Sequence, residues 1–194
     1  KDNGIQTFWG KNGKKVVEGN FKDGEKEGVQ RTWCENGQIT YEGLFKDGKE
    51  DGLITEWYEN GNKKSEHRCK DGELNGLLSK WSEDGTKILE QHFKDGLDYG
   101  VTSEWYENGI KKREGNFRDG ELDGLFCSWY ENGNKKIEKH LKVGELEGSV
   151  TEWYENGNKM TECGYKDGEK HGLYVSWCEN GQKDAEAHYK NGKL

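Results

Sequence analysis

Tryptophan recurs every 24 residues along this chain, at Trp9, Trp33, Trp57, Trp81, Trp105, Trp129, Trp153 and Trp177. Between the tryptophans run short apolar–polar alternations, such as Leu53 to Tyr58 and Asn62 to Cys69, each bounded by glycine. Alternation of period two is the pattern of a half-buried strand, and a fixed period of this length marks one small unit repeated end to end. No helix longer than a turn fits between the glycines. The pattern predicts an all-β fold, an antiparallel meander of about sixteen strands with two to each repeat.

Glycine keeps the same period. Three series of eight, from Gly13 to Gly181, from Gly24 to Gly192 and from Gly4 to Gly172, account for all but five of the 29 glycines. Asn precedes the first series except at Asp84, and Asp precedes the second except at Val143 and Asn191. Asn-Gly and Asp-Gly between apolar runs are strong hairpin signals, because a type I′ turn needs two residues at positive φ. If Asn60-Gly61 is a two-residue loop, Tyr58 faces Lys63, Trp57 faces Lys64 and Thr55 faces Glu66. Leu53, Thr55 and Trp57 then share one face of the sheet and Tyr58 the other. Without a bulge, the Tyr face also takes Phe21, Phe45, Phe93, Phe117, Tyr165 and Tyr189; a bulge reverses the assignment.

Composition limits the core. Hydrophobic residues make up 29% and charged residues 35% of the chain. That balance points to a single twisted sheet or thin solenoid of eight hairpin repeats, about 75 Å long at two strand widths per repeat. Proline is absent, as strands that pair on both sides require. The whole of 1–194 reads as one continuous array without distinct end units, which makes a slice of a longer array the expectation. Uncapped edge strands would invite self-association into a rod. No apolar stretch approaches the roughly 20 residues that span a membrane.

The stretches Glu18-Gly-Asn-Phe-Lys-Asp-Gly-Glu-Lys-Glu-Gly28, Tyr41-Glu-Gly-Leu-Phe-Lys-Asp-Gly-Lys-Glu-Asp-Gly52 and Glu114-Gly-Asn-Phe-Arg-Asp-Gly-Glu-Leu-Asp-Gly124 resemble the MORN repeat. The Trp-Tyr-Glu-Asn-Gly segments at 57–61, 105–109, 129–133 and 153–157 are closer to the MORN-repeat-variant family. The resemblance covers the whole chain and implies the hairpin array. It also implies a scaffold, a peptide-binding groove or a lipid binder, and bacterial members are often labelled antitoxins. One departure stands out: the glycine two residues before the aromatic survives only as Gly19, Gly43 and Gly115.

Candidate chemistry is sparse. A glutamate follows each tryptophan by nine residues, from Glu18 to Glu186, and Lys or Arg follows four residues later. Such a ladder could bind cations or glycan hydroxyls; the simpler expectation is a hydrogen bond to a facing hydroxyl, as from Thr55 to Glu66, with cross-strand lysine pairing. His92, His140 and His188 share a phase but lie two repeats apart, about 19 Å, too far to share a metal. The five cysteines show no C-x-x-C spacing and read as small reduced substitutes in a cytoplasmic protein, although Cys163 and Cys178 flank one turn and a disulfide between them stays open. No catalytic group, metal site or cofactor is expected. The net charge of −8 argues against nucleic-acid and anionic-membrane partners.

What remains is binding. Tyr58, Tyr106, Tyr130 and Tyr154 follow four of the tryptophans, and tyrosine joins a rigid apolar ring to a hydroxyl, a common profile at interfaces. The aromatic rows are either the core of a thin sheet or, in part, a groove for a protein or peptide. The expected function is a non-enzymatic interaction scaffold; the alternatives are an antitoxin-type protein with a toxin as partner, or a self-assembling rod.

Overall fold

The computed structural model describes residues 3–194, and its regular structure is entirely β. Among the described residues no helix forms, so none is long and apolar enough to cross a membrane. The chain divides into two compact units, Lys1–Leu97 and Asp98–Leu194.

The first unit contains β1 (Gly4–Trp9), β2 (Lys15–Lys22), β3 (Glu25–Trp33), β4 (Ile39–Lys46), β5 (Lys49–Trp57), β6 (Lys63–Lys70), β7 (Glu73–Leu74), β8 (Gly76–Trp81) and β9 (Lys87–Lys94). After a short β10 (Leu97–Asp98) at the boundary, the second contains β11 (Gly100–Trp105), β12 (Lys111–Arg118), β13 (Glu121–Trp129), β14 (Lys135–Lys142), β15 (Glu145–Trp153), β16 (Lys159–Lys166), β17 (Glu169–Trp177) and β18 (Lys183–Tyr189). Within each unit, sequential strands pair antiparallel, as β5 does with β6 and β13 with β14. The meander has more pieces than the expected sixteen because two strands are interrupted, at Asn75 between β7 and β8 and at Tyr99 between β10 and β11.

The two kinds of turn differ, which the sequence pattern did not separate. Asp71 and Gly72 both have positive φ, 52° and 89°, as a two-residue type I′ turn needs. At Asn60-Gly61 only the glycine is left-handed, with φ of 89°. There the Tyr58 N–H donates to the Asn62 carbonyl and the Gly61 N–H to the Tyr58 carbonyl, both at 2.9 Å. This is a three-residue loop, a type I turn closed by a glycine bulge. Asn60 is therefore selected for its side chain: Oδ1 accepts the Asn62 N–H at 2.9 Å and the amide donates to the Glu83 carbonyl of the next repeat at 2.8 Å.

The loop corrects the expected register. Thr55 pairs with Glu66 as expected, but Trp57 pairs with Lys63 rather than Lys64, and Tyr58 leaves the strand for the loop. The strands also start earlier than the glycines suggested, β5 at Lys49 rather than Leu53, because the chain runs through Gly52 at φ of 135° without leaving the sheet.

Each unit buries side chains on both faces. In the first, Phe45, Ile54, Cys69 and Leu78 fill one face, with Ile54 only 1% exposed, while Thr55 and Ser79 are buried on the other. In the second, Leu141, Val150 and Cys163 fill the corresponding face, and Ser103, Cys127 and Val175 the opposite one. Small and polar residues thus complete what the few apolar ones begin.

Candidate binding surface

The tyrosines named from sequence sit at the mouths of the Asn-Gly loops, half-buried. Tyr58 donates its hydroxyl to the Trp81 carbonyl at 2.9 Å, Tyr106 to Trp129 at 2.9 Å, Tyr130 to Trp153 at 2.8 Å and Tyr154 to Trp177 at 2.9 Å. Each ring therefore leans on the repeat that follows it. Where Cys34 and Ser82 take this position, their shorter side chains fold back onto their own loops, Cys34 onto Asn36 and Ser82 onto Asp84. The second unit brings Tyr106, Tyr130 and Tyr154 together in consecutive repeats, with Lys112 over the Tyr106 ring at 5.7 Å and Lys136 over the Tyr130 ring at 5.4 Å. Tyr58 belongs to the first unit.

A second surface lies on the tryptophan face. Lys63 sits 2.6 Å from Glu66 in its own strand and 5.3 Å from the Trp81 ring of the next repeat. Lys111 is likewise 2.5 Å from Glu114 and 5.9 Å from Trp129. Lys135 is 2.5 Å from Glu138 and 5.5 Å from Trp153. The lysines pair along the strand, not across it as expected. Residues three apart normally point to opposite faces, and the bulge beside each loop brings this lysine back to the glutamate's face. The lysine is then held between a carboxylate and an indole, a cation–π arrangement.

The hydrogen bond from Lys111 holds Glu114 below the usual carboxylate range against some opposing desolvation, and the Ser103 hydroxyl, at 2.8 Å, acts in the same direction. Glu138 is lowered in the same way by Lys135. The hydroxyl-to-glutamate bond expected from sequence forms at Ser103, and at Thr7 with Glu18 at 3.4 Å, but not at Thr55, which faces Glu66 in register while Glu66 accepts from Lys63. The carboxylates of this ladder are already engaged by the protein's own cations.

Sequence reasoning missed a third grouping, in the first unit: Glu50, His67 and Cys69 place one potential ligand atom each within 4.8 Å of the others. The signal was present in the register. Cys69 pairs with Gly52 and His67 with Ile54, so both point to the face that Glu50 shares. All five cysteines carry free thiols; Cys163 is buried and Cys178 exposed.

The MORN repeat variant model matches seven segments, residues 2–23, 26–47, 50–68, 98–119, 122–142, 146–167 and 170–191. The unmatched stretch between the third and fourth segments carries Trp81 and a loop closed by the same bonds, Ser82 N–H to the Thr86 carbonyl and Gly85 N–H to the Ser82 carbonyl. No curated protein matches the chain.

Proposed function

From the premise that this chain belongs to the MORN repeat variant family, whose repeats are in general interaction modules for proteins or membranes, we propose that it is a non-enzymatic scaffold binding an extended protein segment along its loop tyrosines. The observation that carries this reading is the tyrosine-to-tryptophan-carbonyl bond, repeated in the second unit at Tyr106, Tyr130 and Tyr154. It fixes each ring while leaving it half-exposed. A ring already fixed loses little conformational freedom when a partner lands on it.

The spacing suggests the partner's conformation. Successive repeats are two strands apart, about 9.6 Å. A polyproline-II segment returns to the same side every three residues, about 9.3 Å. A segment with an apolar residue at every third position would place one side chain against each tyrosine, with Lys112 and Lys136 beside the rings to meet its carbonyls or acidic residues. A toxin with such an exposed segment would be one instance of this partner.

Peptide display against the immobilised chain, with folding followed by circular dichroism, tests the reading. The expected result is enrichment of peptides with that three-residue period, bound by the wild type, bound more weakly by Tyr106→Phe/Tyr130→Phe, which keeps the rings but lacks the bonds that fix them, and lost by Tyr106→Ala/Tyr130→Ala while it remains folded. Peptides that bind the folded alanine variant as well as the wild type would place the site elsewhere.

A further inference from the structure

We propose that Glu50, His67 and Cys69 form a binding site for a zinc-class divalent metal ion on the Ile54-bearing face of the first unit. Their ligand atoms lie within 4.8 Å of one another, and Cys69 Sγ is already 3.6 Å from Glu50 Oε2. In a tetrahedral zinc site with bonds of about 2.0–2.3 Å, neighbouring ligand atoms are about 3.3–3.8 Å apart. A contraction on the order of 1 Å, within side-chain rotation, would complete the three-ligand set.

Two independent observations point to a ligand at this spot. The first is His67 Nδ1, which is buried and has no hydrogen-bond partner among the described residues. A buried, unsatisfied ring nitrogen is costly, and a bound cation would remove that cost. The second is the way this repeat departs from the others. At the corresponding positions of two other repeats Lys26 sits 4.5 Å over the Phe45 ring and Lys170 sits 5.1 Å over the Tyr189 ring, and three more carry Leu74, Leu122 and Leu146 in place of the lysine. Here the cation is replaced by Glu50 and the ring by Cys69, while the glycine of Gly19 and Gly43 becomes His67. Elsewhere the same three positions hold, for example, Leu122, Lys139 and Leu141, or Leu146, Cys163 and Tyr165, so no other repeat combines three side chains able to ligate a metal.

The surroundings suit coordination. Tyr41 donates to Glu50 Oε1 at 2.9 Å, orienting the carboxylate and leaving Oε2 toward Cys69; such outer hydrogen bonds position metal ligands. Binding would replace the proton of the free Cys69 thiol with the metal, releasing that proton to solvent with no change of oxidation state. The cluster lines an open depression of about 360 Å³ together with Glu56, Ser65 and Lys80, which leaves a fourth position accessible to water or to an incoming ligand.

Cobalt(II) titration of the wild-type chain, followed by zinc displacement, tests the site. The expected result is one cobalt per chain with a thiolate-to-cobalt charge-transfer band that zinc abolishes. Cys69→Ser should lose the band, His67→Ala should bind at least ten-fold more weakly, and Cys127→Ser should match the wild type. A band that survives Cys69→Ser, or no saturable binding to the wild type, overturns the proposal. Zinc-edge X-ray absorption of the wild-type complex gives a reading independent of how the variants fold. One sulfur at about 2.3 Å with the remaining ligands nitrogen or oxygen is expected; a shell with no sulfur, or with two or more, contradicts the assignment.

Discussion

Arg31 donates from Nε to Glu42 Oε2 at 2.5 Å across the β3–β4 pair. In the other repeats the equivalent glutamate takes its cation from a lysine three residues earlier in the same strand, as Glu66 does from Lys63 and Glu138 from Lys135. The second repeat has Ile39 at that lysine position and Arg31 where its neighbours have Thr7 and Thr55. The carboxylate stays paired although its partner has moved to the opposite strand. This substitution argues that the glutamate ladder serves the sheet itself.

Arg31→Thr should therefore destabilise the chain by no more than about 1 kcal/mol, since both partners are about two-fifths exposed. Adding Ile39→Lys should restore most of the loss by rebuilding the arrangement of the neighbouring repeats. Urea melts of the two single variants and the double variant measure the coupling. Strictly additive effects would mean that Glu42 does not need a cation.

The same ladder should carry an acid dependence. Folded Glu114 holds its proton less tightly than it does in the unfolded chain. Its stabilising contribution is thus complete above the ordinary glutamate value of 4.5 and fades as pH falls through the lower folded value. Lys111→Met removes the largest cause of that shift, so the variant should lose less stability than the wild type between neutral pH and about pH 3. Equal losses in both chains would remove Lys111–Glu114 as a source of the dependence.

Loop glycines should be sensitive for backbone reasons alone. Gly109 has φ of 80° and Gly13 has φ of 73°, and an added Cβ would meet nothing within 4 Å at either. Ala at Gly109 should cost on the order of 1 kcal/mol through strain. The same change at Gly133, with φ of 89° in the next Asn-Gly loop of the same unit, should cost about as much. No loss at either Gly109 or Gly133 would show that these loops tolerate a left-handed alanine without strain.

The loop asparagines should respond to a nearly isosteric change. Asn132 donates its amide to the Glu155 carbonyl of the next repeat at 2.9 Å while its Oδ1 accepts the Asn134 N–H at 2.9 Å. Asn132→Asp keeps the acceptor, loses the donor and sets a negative charge against that carbonyl. A loss of about 0.5–1.5 kcal/mol is expected; no loss would mean that the bond between repeats contributes nothing.

Much of the fold was legible because it is periodic: tryptophan spacing, paired glycines and alternation all report local geometry. The turn chemistry at Asn60-Gly61 was not, since that dipeptide serves both a type I′ turn and a type I turn with a glycine bulge, and the choice rests on side-chain bonds reaching 23 residues ahead to Glu83. The tyrosines were legible as a series, but not their hydroxyl bonds, which depend on where the following repeat lies. His67 and Cys69 looked like isolated substitutions because only strand pairing brings them to Glu50.

A bound partner should lie along the loop tyrosines and not on the sheet faces. Fluorine NMR of the chain labelled with 3-fluorotyrosine, titrated with a peptide enriched by display, tests it directly. The resonances of Tyr106, Tyr130 and Tyr154 should shift together, while Tyr41 and Tyr165, which lie within strands, stay in place. Shifts confined to Tyr41 and Tyr165, with the loop tyrosines unchanged, would contradict it.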